Sequence, residues 1–341
     1  MAVTNQVNEA SAKAGLTSEK SNSQPVKQEN IFIVESFNKS IKRGEALPPL
    51  KEMFGCLVYE NTVNIWFGDN GTAKTLTAMF VANSFAAGMK AFSEFNNNVS
   101  RHPVFYSDYE LTERQLFKRY GNFLFSDNLY RISVDFTQNL GGVDIGKLLI
   151  KDCERLAFEH EQVTIFIDNI SVFDTLDLEN RQEAGQLLAN LNRIKKLHPG
   201  FTIIILAHTP KVERGPIFKQ HLAGSKQLTN LIDSVIGFAR AESDENLFYI
   251  KQLKQRDGII EYNFEKVITF YIDRIDNHLV PVFNGFGYEN NLLQTPKDKE
   301  RKERNETILT KSQCGISAGA LAKEFHLSRD MVHKLIRQGL K

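Results

Sequence analysis

One stretch, Trp66-Phe67-Gly68-Asp69-Asn70-Gly71-Thr72-Ala73-Lys74-Thr75, narrows the folds open to this chain more than any other. It joins an apolar, β-branched run, Val63–Phe67, to an apolar helical pattern, Lys74–Ala87. Strand, glycine-rich turn and helix, in that order, let backbone N–H groups wrap around phosphates at the positive end of a helix. Gly68 and Gly71 permit close backbone approach, and Asp69, Asn70, Thr72 and Ala73 complete the cradle. Lys74 can reach the β and γ phosphates and Thr75 can ligate Mg²⁺, so the stretch points to ATP and Mg²⁺. One position departs from the pattern: Ala73 stands where glycine is usual, and its methyl group is strained if φ is positive there. The plainer alternative is a glycine turn capping a core helix, with a solvated lysine. The strand and helix on either side argue for nucleotide binding.

The surrounding texture is that of stacked βα units. Strands are expected at Val63–Phe67, Val104–Ser107, Tyr130–Val134, Val163–Asp168, Thr202–Ala207 and Ser234–Ala239. Helices are expected at Lys74–Ala87, Ile145–His160, Glu179–Leu197 and Leu222–Ile232. Alternation of this kind gives an α/β fold with a mostly parallel sheet. After Phe238 strand follows strand, and Leu247–Leu253, Ile259–Phe264 and Phe270–Ile272 read as antiparallel hairpins closing one edge.

Residues 1–30 contain no aromatic side chain and read as a flexible polar tail; 31–295 form the nucleotide domain. A charged linker, 296–305, precedes a small helical module, 306–341. The formal charge of +1 gives no bulk attraction to nucleic acid, yet residues 297–341 hold eleven Lys/Arg against six Asp/Glu. No apolar run is long enough to span a bilayer, and the first thirty residues lack the apolar stretch of a secretory signal, so the expectation is a cytoplasmic protein without membrane attachment. Cys56, Cys153 and Cys314 have no metal or redox spacing and are expected to be buried, inert thiols.

Two acids are candidates for work beside the loop. Val163–Asp168 is a continuous apolar run ending in a carboxylate, so a buried parallel strand would deliver Asp168 to the C-terminal edge of the sheet, where it can hold Mg²⁺. Asn169 and Ser171 would line the same rim. In Val104-Phe105-Tyr106-Ser107-Asp108-Tyr109-Glu110-Leu111-Thr112 a strand runs toward a helix capped by Thr112, and Glu110 at its end can deprotonate the water that attacks a γ-phosphate. Asp108 is the rival, since strand alternation puts both acids on one side of an extended chain.

The string Val104–Leu116 resembles the second conserved strand of hexameric, DnaB-type replicative helicases of the RecA-like superfamily, in which the glutamate of a Ser-x-Glu-x element is the base; Glu110 falls on it. The chain also resembles the plasmid RepA-type ATPases of that superfamily, AAA-type ATPases of plasmids and mobile elements. The resemblance implies a RecA-like P-loop core. Thr202-Ile203-Ile204-Ile205-Leu206-Ala207-His208 is similar to the strand whose terminal histidine senses the γ-phosphate, and His208 takes that position. Lys254-Gln255-Arg256-Asp257-Gly258 is similar to the Lys-x-Arg element that reaches a neighbouring subunit's ATP, making Arg256 an arginine finger, Lys254 its companion and the protein a homo-oligomer, hexameric in those helicases. Lys211 and Arg214 sit in a polar stretch long enough to face a central channel and track single-stranded DNA, although, with Phe218 its one aromatic residue, a solvated surface loop accounts for it equally. Gly224-Ser225-Lys226-Gln227 resembles the element that opens the next helix in RepA-type chains.

The last module has the rhythm of a helix-turn-helix. Leu321, Ala322 and Phe325 form one apolar face, Ser328 caps the next helix, and Met331, Val332, Leu335 and Ile336 turn inward. Arg329, His333, Lys334 and Arg337 then face outward as a recognition helix would present them to duplex DNA. His326 occupies the turn position usually held by glycine. The sequence therefore suggests an oligomeric ATPase that drives or remodels DNA. The alternative is a DNA-binding regulator, loader or adaptor that uses ATP to assemble without translocating.

Overall fold

The computed structural model describes residues 32–135, 137, 144–169, 181–208, 215–222 and 230–339. Contacts divide the chain into two compact units, Met1–Pro49 and Leu50–Lys341. In the first, α1 (Phe37–Glu45) was not foreseen, because Phe37 and Ile41 alone give too little periodicity. Glu35 ties it locally, accepting from Ser40 Oγ at 2.6 Å and from Arg43 at 2.5 and 3.0 Å. Phe32, Ile33, Val34, Phe37 and Ile41 are all exposed.

The second unit is built on nine strands: β1 (Val63–Gly68), β2 (Val104–Asp108), β3 (Leu129–Ile132), β4 (Val163–Asp168), β5 (Phe201–His208), β6 (Ser234–Arg240), β7 (Leu247–Gln255), β8 (Val267–Ile275) and β9 (His278–Gly287). Their order across the sheet is β3-β2-β4-β5-β1-β6-β7-β8-β9. The strands from β3 to β6 are parallel, and β7, β8 and β9 add antiparallel neighbours. This is the mostly parallel α/β core, with antiparallel strands at one edge, that the sequence led us to expect.

Helices cover both faces. Val63, Ile65 and Phe67 of β1 pack with Leu149 and Leu156 of α4 (Ile145–Glu159) and with Leu187, Leu191 and Ile194 of α5 (Arg181–Leu197). Trp66 points the other way, as strand alternation requires, and packs with Phe166, Leu206, Phe238 and Phe85 of α2 (Lys74–Ala87). Burial on both faces explains why β1, β4 and β5 are dominated by apolar residues, with Asn64, Thr164 and Thr202 among their buried polar exceptions. Among the described residues, no helix is long and apolar enough to cross a membrane.

The register brings four strand ends together. Gly68 of β1 lies opposite His208 of β5, and Asp108 of β2 lies opposite Asp168 of β4. The loop after β1 therefore opens at the C-terminal edge of the sheet, beside the ends of β5, β4 and β2, where open α/β sheets bind ligands. Next to β2, Thr112 caps α3 (Glu113–Tyr120) through a reciprocal box with Gln115.

Several expectations need correction. Ile259–Phe264 forms no strand; the Gln252 side chain accepts from the backbone N–H of Glu261 and Tyr262 and holds the segment off the ladder. The short run Phe270–Ile272 is the middle of β8, and β9 was missed because Pro281, Gly285 and Gly287 interrupt its alternation. Most of the expected helix Leu222–Ile232 lies outside the described residues. Cys56 and Cys153 are buried, but Cys314 is exposed at the end of a helix.

The linker expected at 296–305 is the first half of a helix. After a single turn, α6 (Glu289–Leu292), the Thr295 hydroxyl donates to Asp298 at 2.7 Å and Pro296 opens α7 (Pro296–Gln313). Two shorter helices follow, α8 (Ala318–Glu324) and α9 (Arg329–Gly339), capped by Ser317 and Ser328. Ile308 of α7 joins Leu321, Ala322 and Val332 in a separate small core. Met331, expected inside, is half exposed. Asp330, His333, Lys334, Arg337 and Gln338 line the open face of α9.

Candidate functional site

The loop Gly68–Ala73 is shaped by close approach. A Cβ on Gly68 would stand 2.3 Å from the carbonyl oxygen of Phe238, so any larger residue would push β1 and β6 apart. Ala73 has φ 62°, ψ 17°, the left-handed region that glycine takes without cost and alanine does not. The loop keeps that turn because the chain must enter α2 within it. The Thr72 hydroxyl donates to the Asp69 carbonyl at 2.8 Å and the Asn70 N–H to the Asp69 carboxylate at 2.7 Å.

Lys74 is 6% exposed and folds back onto the loop, donating from Nζ to the carbonyls of Gly68 at 2.6 Å and Asp69 at 2.8 Å. Burial pulls its ammonium down to about 8, against the pull of Asp168, Asp69 and Glu110. Asp168 is its opposite: burial pushes its carboxyl up to about 6, although the hydroxyls of Tyr106 and Thr75 hydrogen-bond to it. Tyr106 donates to Asp168 Oδ2 at 2.7 Å. The sequence reading passed over Tyr106; its place on β2, two residues before Asp108 and facing β4, was the available signal.

The two acids at the end of β2 separate cleanly. Asp108 is 3% exposed, pairs with Arg131 at 3.1 Å and accepts from the backbone N–H of Glu110 and Leu111 at 3.2 and 3.0 Å. Its oxygens are thus committed to holding the turn into α3. Glu110 reaches past it to the rim, accepting from Asn169 Nδ2 at 2.7 Å and lying 3.7 Å from His208 Nε2. The His208 hydrogen bond, followed by that of Asn169, holds its carboxyl below the usual range, so it is ionised at neutral pH. The other nitrogen of His208 lies 3.4 Å from Lys74 Nζ. One imidazole therefore bridges the lysine and the glutamate.

Lys74, Thr75, Glu110, Asp168 and His208 converge, and a cavity of about 400 Å³ opens beside Gly68–Thr72, walled by Ile217, Arg240, Glu242, Tyr249 and Leu293. The donor set suits a polyphosphate with its metal. Lys74 is satisfied by carbonyls that a phosphate would replace, and the Thr75 hydroxyl and the Asp168 carboxylate already touch. Lys254 and Arg256 do not join them. They lie at the other edge of the sheet, where Gln255 pairs with Ser234, while Gly68 pairs with Phe238. Lys211, Arg214, Ser171 and Gly224-Ser225-Lys226-Gln227 lie outside the described residues. Arg329, His333, Lys334 and Arg337 are exposed on the C-terminal module.

A family model described as an AAA domain matches residues 37–214. Among solved structures, the crystal structure of flagellar accessory protein FlaH from Methanocaldococcus jannaschii is similar over 67% of this chain and 89% of that one, at 16% identity and a TM-score of 0.41. No curated protein matches the chain.

Proposed function

Because the chain belongs to the AAA domain family, a group of RecA-like P-loop ATPases, we propose that it hydrolyses ATP with Mg²⁺ as an oligomer, in the manner of RepA-type helicases, and couples turnover to DNA. The observation that carries this reading is the convergence of Lys74, Thr75, Glu110, Asp168 and His208 on one sheet edge. On binding, Lys74 exchanges the carbonyls of Gly68 and Asp69 for β and γ phosphate oxygens, and Gly68–Ala73 wraps the chain of phosphates with backbone N–H groups. Thr75 and Asp168 would hold the Mg²⁺, which would supply neutralisation of phosphate charge. Glu110, ionised and open to the rim, orients water and takes its proton. His208, between Lys74 and Glu110, links occupation of the phosphate site to the position of the base. The cavity beside the loop takes the nucleoside.

Arg256 and Lys254 lie about five residues of strand, roughly 16 Å, from the start of their own phosphate loop. An arginine there serves a neighbour's nucleotide, which makes the oligomer part of the active site. Arg329, His333, Lys334 and Arg337 on α9 contact duplex DNA, and single-stranded DNA passes the ATPase core near Lys211 and Arg214. A second reading, an ATP-driven assembly switch, draws on Ala73, an alanine held at φ 62° where the phosphate loop usually has glycine.

The experiment is steady-state ATP turnover with Mg²⁺, with and without single-stranded DNA, for the native chain and for Glu110→Gln. The motor reading expects stimulation by DNA that is lost in E110Q, while nucleotide still binds. Slow turnover indifferent to DNA, together with ATP-dependent assembly by mass, selects the switch. No calorimetric response to ATP ends both.

A further inference from the structure

The edge of the sheet opposite the phosphate loop carries a second concentration of charge. Asp233, the residue before β6, is 1% exposed, yet its carboxylate takes three donors. Oδ2 accepts from the backbone N–H of Val63 at 2.8 Å and from Lys195 Nζ at 2.6 Å; Oδ1 accepts from Arg256 Nη1 at 2.7 Å. A second nitrogen of Arg256 donates to the Asn230 carbonyl, and Lys254 Nζ donates to the Ile232 carbonyl. The four residues Asn230–Asp233 thus grip both members of the Lys-x-Arg pair.

The charges do not cancel. Lys195, Lys254 and Arg256 face Asp233 and Asp257, whose carboxyl burial and Asp233 raise above the ordinary range; Lys219 adds a further cation near Lys254. Lys195 is mostly covered, at 15% exposure, whereas the Arg256 side chain is 43% exposed. A carboxylate buried only to stabilise the fold would be matched by Lys195 and the Val63 N–H. Its second oxygen instead holds a half-exposed guanidinium, a pairing that contributes little to stability where solvent screens it. What that bond does achieve is direction: with one nitrogen on Asp233 and another on Asn230, the plane of the guanidinium is fixed before any anion arrives.

We infer that Asp233 is the positioning residue for Arg256, holding it for the phosphates bound by a second copy of the chain, with Lys195 supplying the counter-charge that keeps Arg256 available to an anion. The Val63 N–H anchors Asp233 to the start of β1, the strand whose other end becomes the phosphate loop, so the presenting edge of a subunit is built on the same rigid strand as its binding edge. The inference rests on the proposed role of Arg256 in trans.

The test mixes two full-length variants. Glu110→Gln subunits bind nucleotide but lack the base and retain Arg256; Arg256→Ala subunits retain their own site but donate nothing. Turnover recovered on mixing measures Arg256 acting across the interface. Asp233→Asn is then added to one subunit type at a time, with thermal melting of each chain alongside. Placed in the E110Q subunit, which donates the arginine, it should lower recovered turnover about 10- to 100-fold, the loss that misplacement of a reacting group brings. Placed in the R256A subunit it should add nothing, since the side chain it positions is gone. Equal loss in both arms makes Asp233 merely structural and overturns the inference, as does no loss in either. If D233N does not fold, Asp233→Glu, which keeps the charge but displaces it, is read in the same two arms. No recovery in the parent mixture refutes the trans role of Arg256 itself, and the inference with it.

Discussion

The two edges of the sheet treat buried charge in opposite ways. At the loop edge Lys74 and Asp168 are drawn toward their neutral forms, to about 8 and about 6, and Ala73 sits in a conformation alanine disfavours. At the far edge Asp233 is as deeply buried, yet each oxygen has a strong donor. A site that waits for a highly charged ligand is built from groups left partly uncompensated, and the ligand supplies what they lack. A site that presents a finished side chain is saturated before the partner arrives. Functional strain belongs to the first kind.

The comparison can be broken at graded cost. The largest effect should come from Glu110→Gln, lowering ATP turnover about 10²- to 10⁴-fold with nucleotide affinity retained, as steady-state rates beside equilibrium titration would reveal. Next, Asp233→Ala should destabilise the chain by about 3 kcal/mol, because it leaves the mostly covered Lys195 ammonium and the Val63 N–H without their acceptor; urea unfolding measures this. Asp168→Asn should do the reverse. The folded value of about 6 exceeds the ordinary 3.8, so the protonated acid is the form that folding favours. That contribution is whole below about pH 4 and is lost as pH rises through 6, and the amide removes the resulting deficit. The unliganded variant should therefore gain up to about 3 kcal/mol above pH 7 and nothing near pH 4, while losing turnover. Were D233A and D168N to shift stability in the same direction, the contrast between the edges would be wrong.

Ala73→Gly sharpens the same point, with an expected gain of about 1 kcal/mol in the unliganded chain from relief at φ 62°. The turn residue His326 has φ 53°, and His326→Gly should gain less, about 0.5 kcal/mol, because histidine enters that region more readily. Paired melting curves for the two variants decide the order.

Much of the loop edge was legible because its information is local. Val63, Gly68, Lys74 and Ala87 mark strand, turn and helix within 25 residues, and Asp168 ends an apolar run whose length alone gives its address in a parallel sheet. The choice between Asp108 and Glu110 was not local: it is made by Arg131 and by Asn169, which arrive from β3 and from the end of β4. The far edge was illegible for the same reason. Asp233 meets residues 170, 38 and 23 positions away, and no periodicity records such pairings. Likewise α7 was hidden by its charge, since a helix with Ile308 as its one buried residue carries no apolar stripe to read.

Trp66 is the chain's sole tryptophan. It is fully enclosed, edge-on to Phe166 with ring centroids 6.0 Å apart and tilted against Phe238 at 5.5 Å. It stands two residues ahead of Gly68, and Phe166 stands two ahead of Asp168. Nature has thereby given the molecule one optical label, at the heart of its sheet. Its emission should lie to the blue and move red only when the layer beneath the nucleotide loop comes apart, while the N-terminal unit and the C-terminal helices stay dark to tryptophan fluorescence.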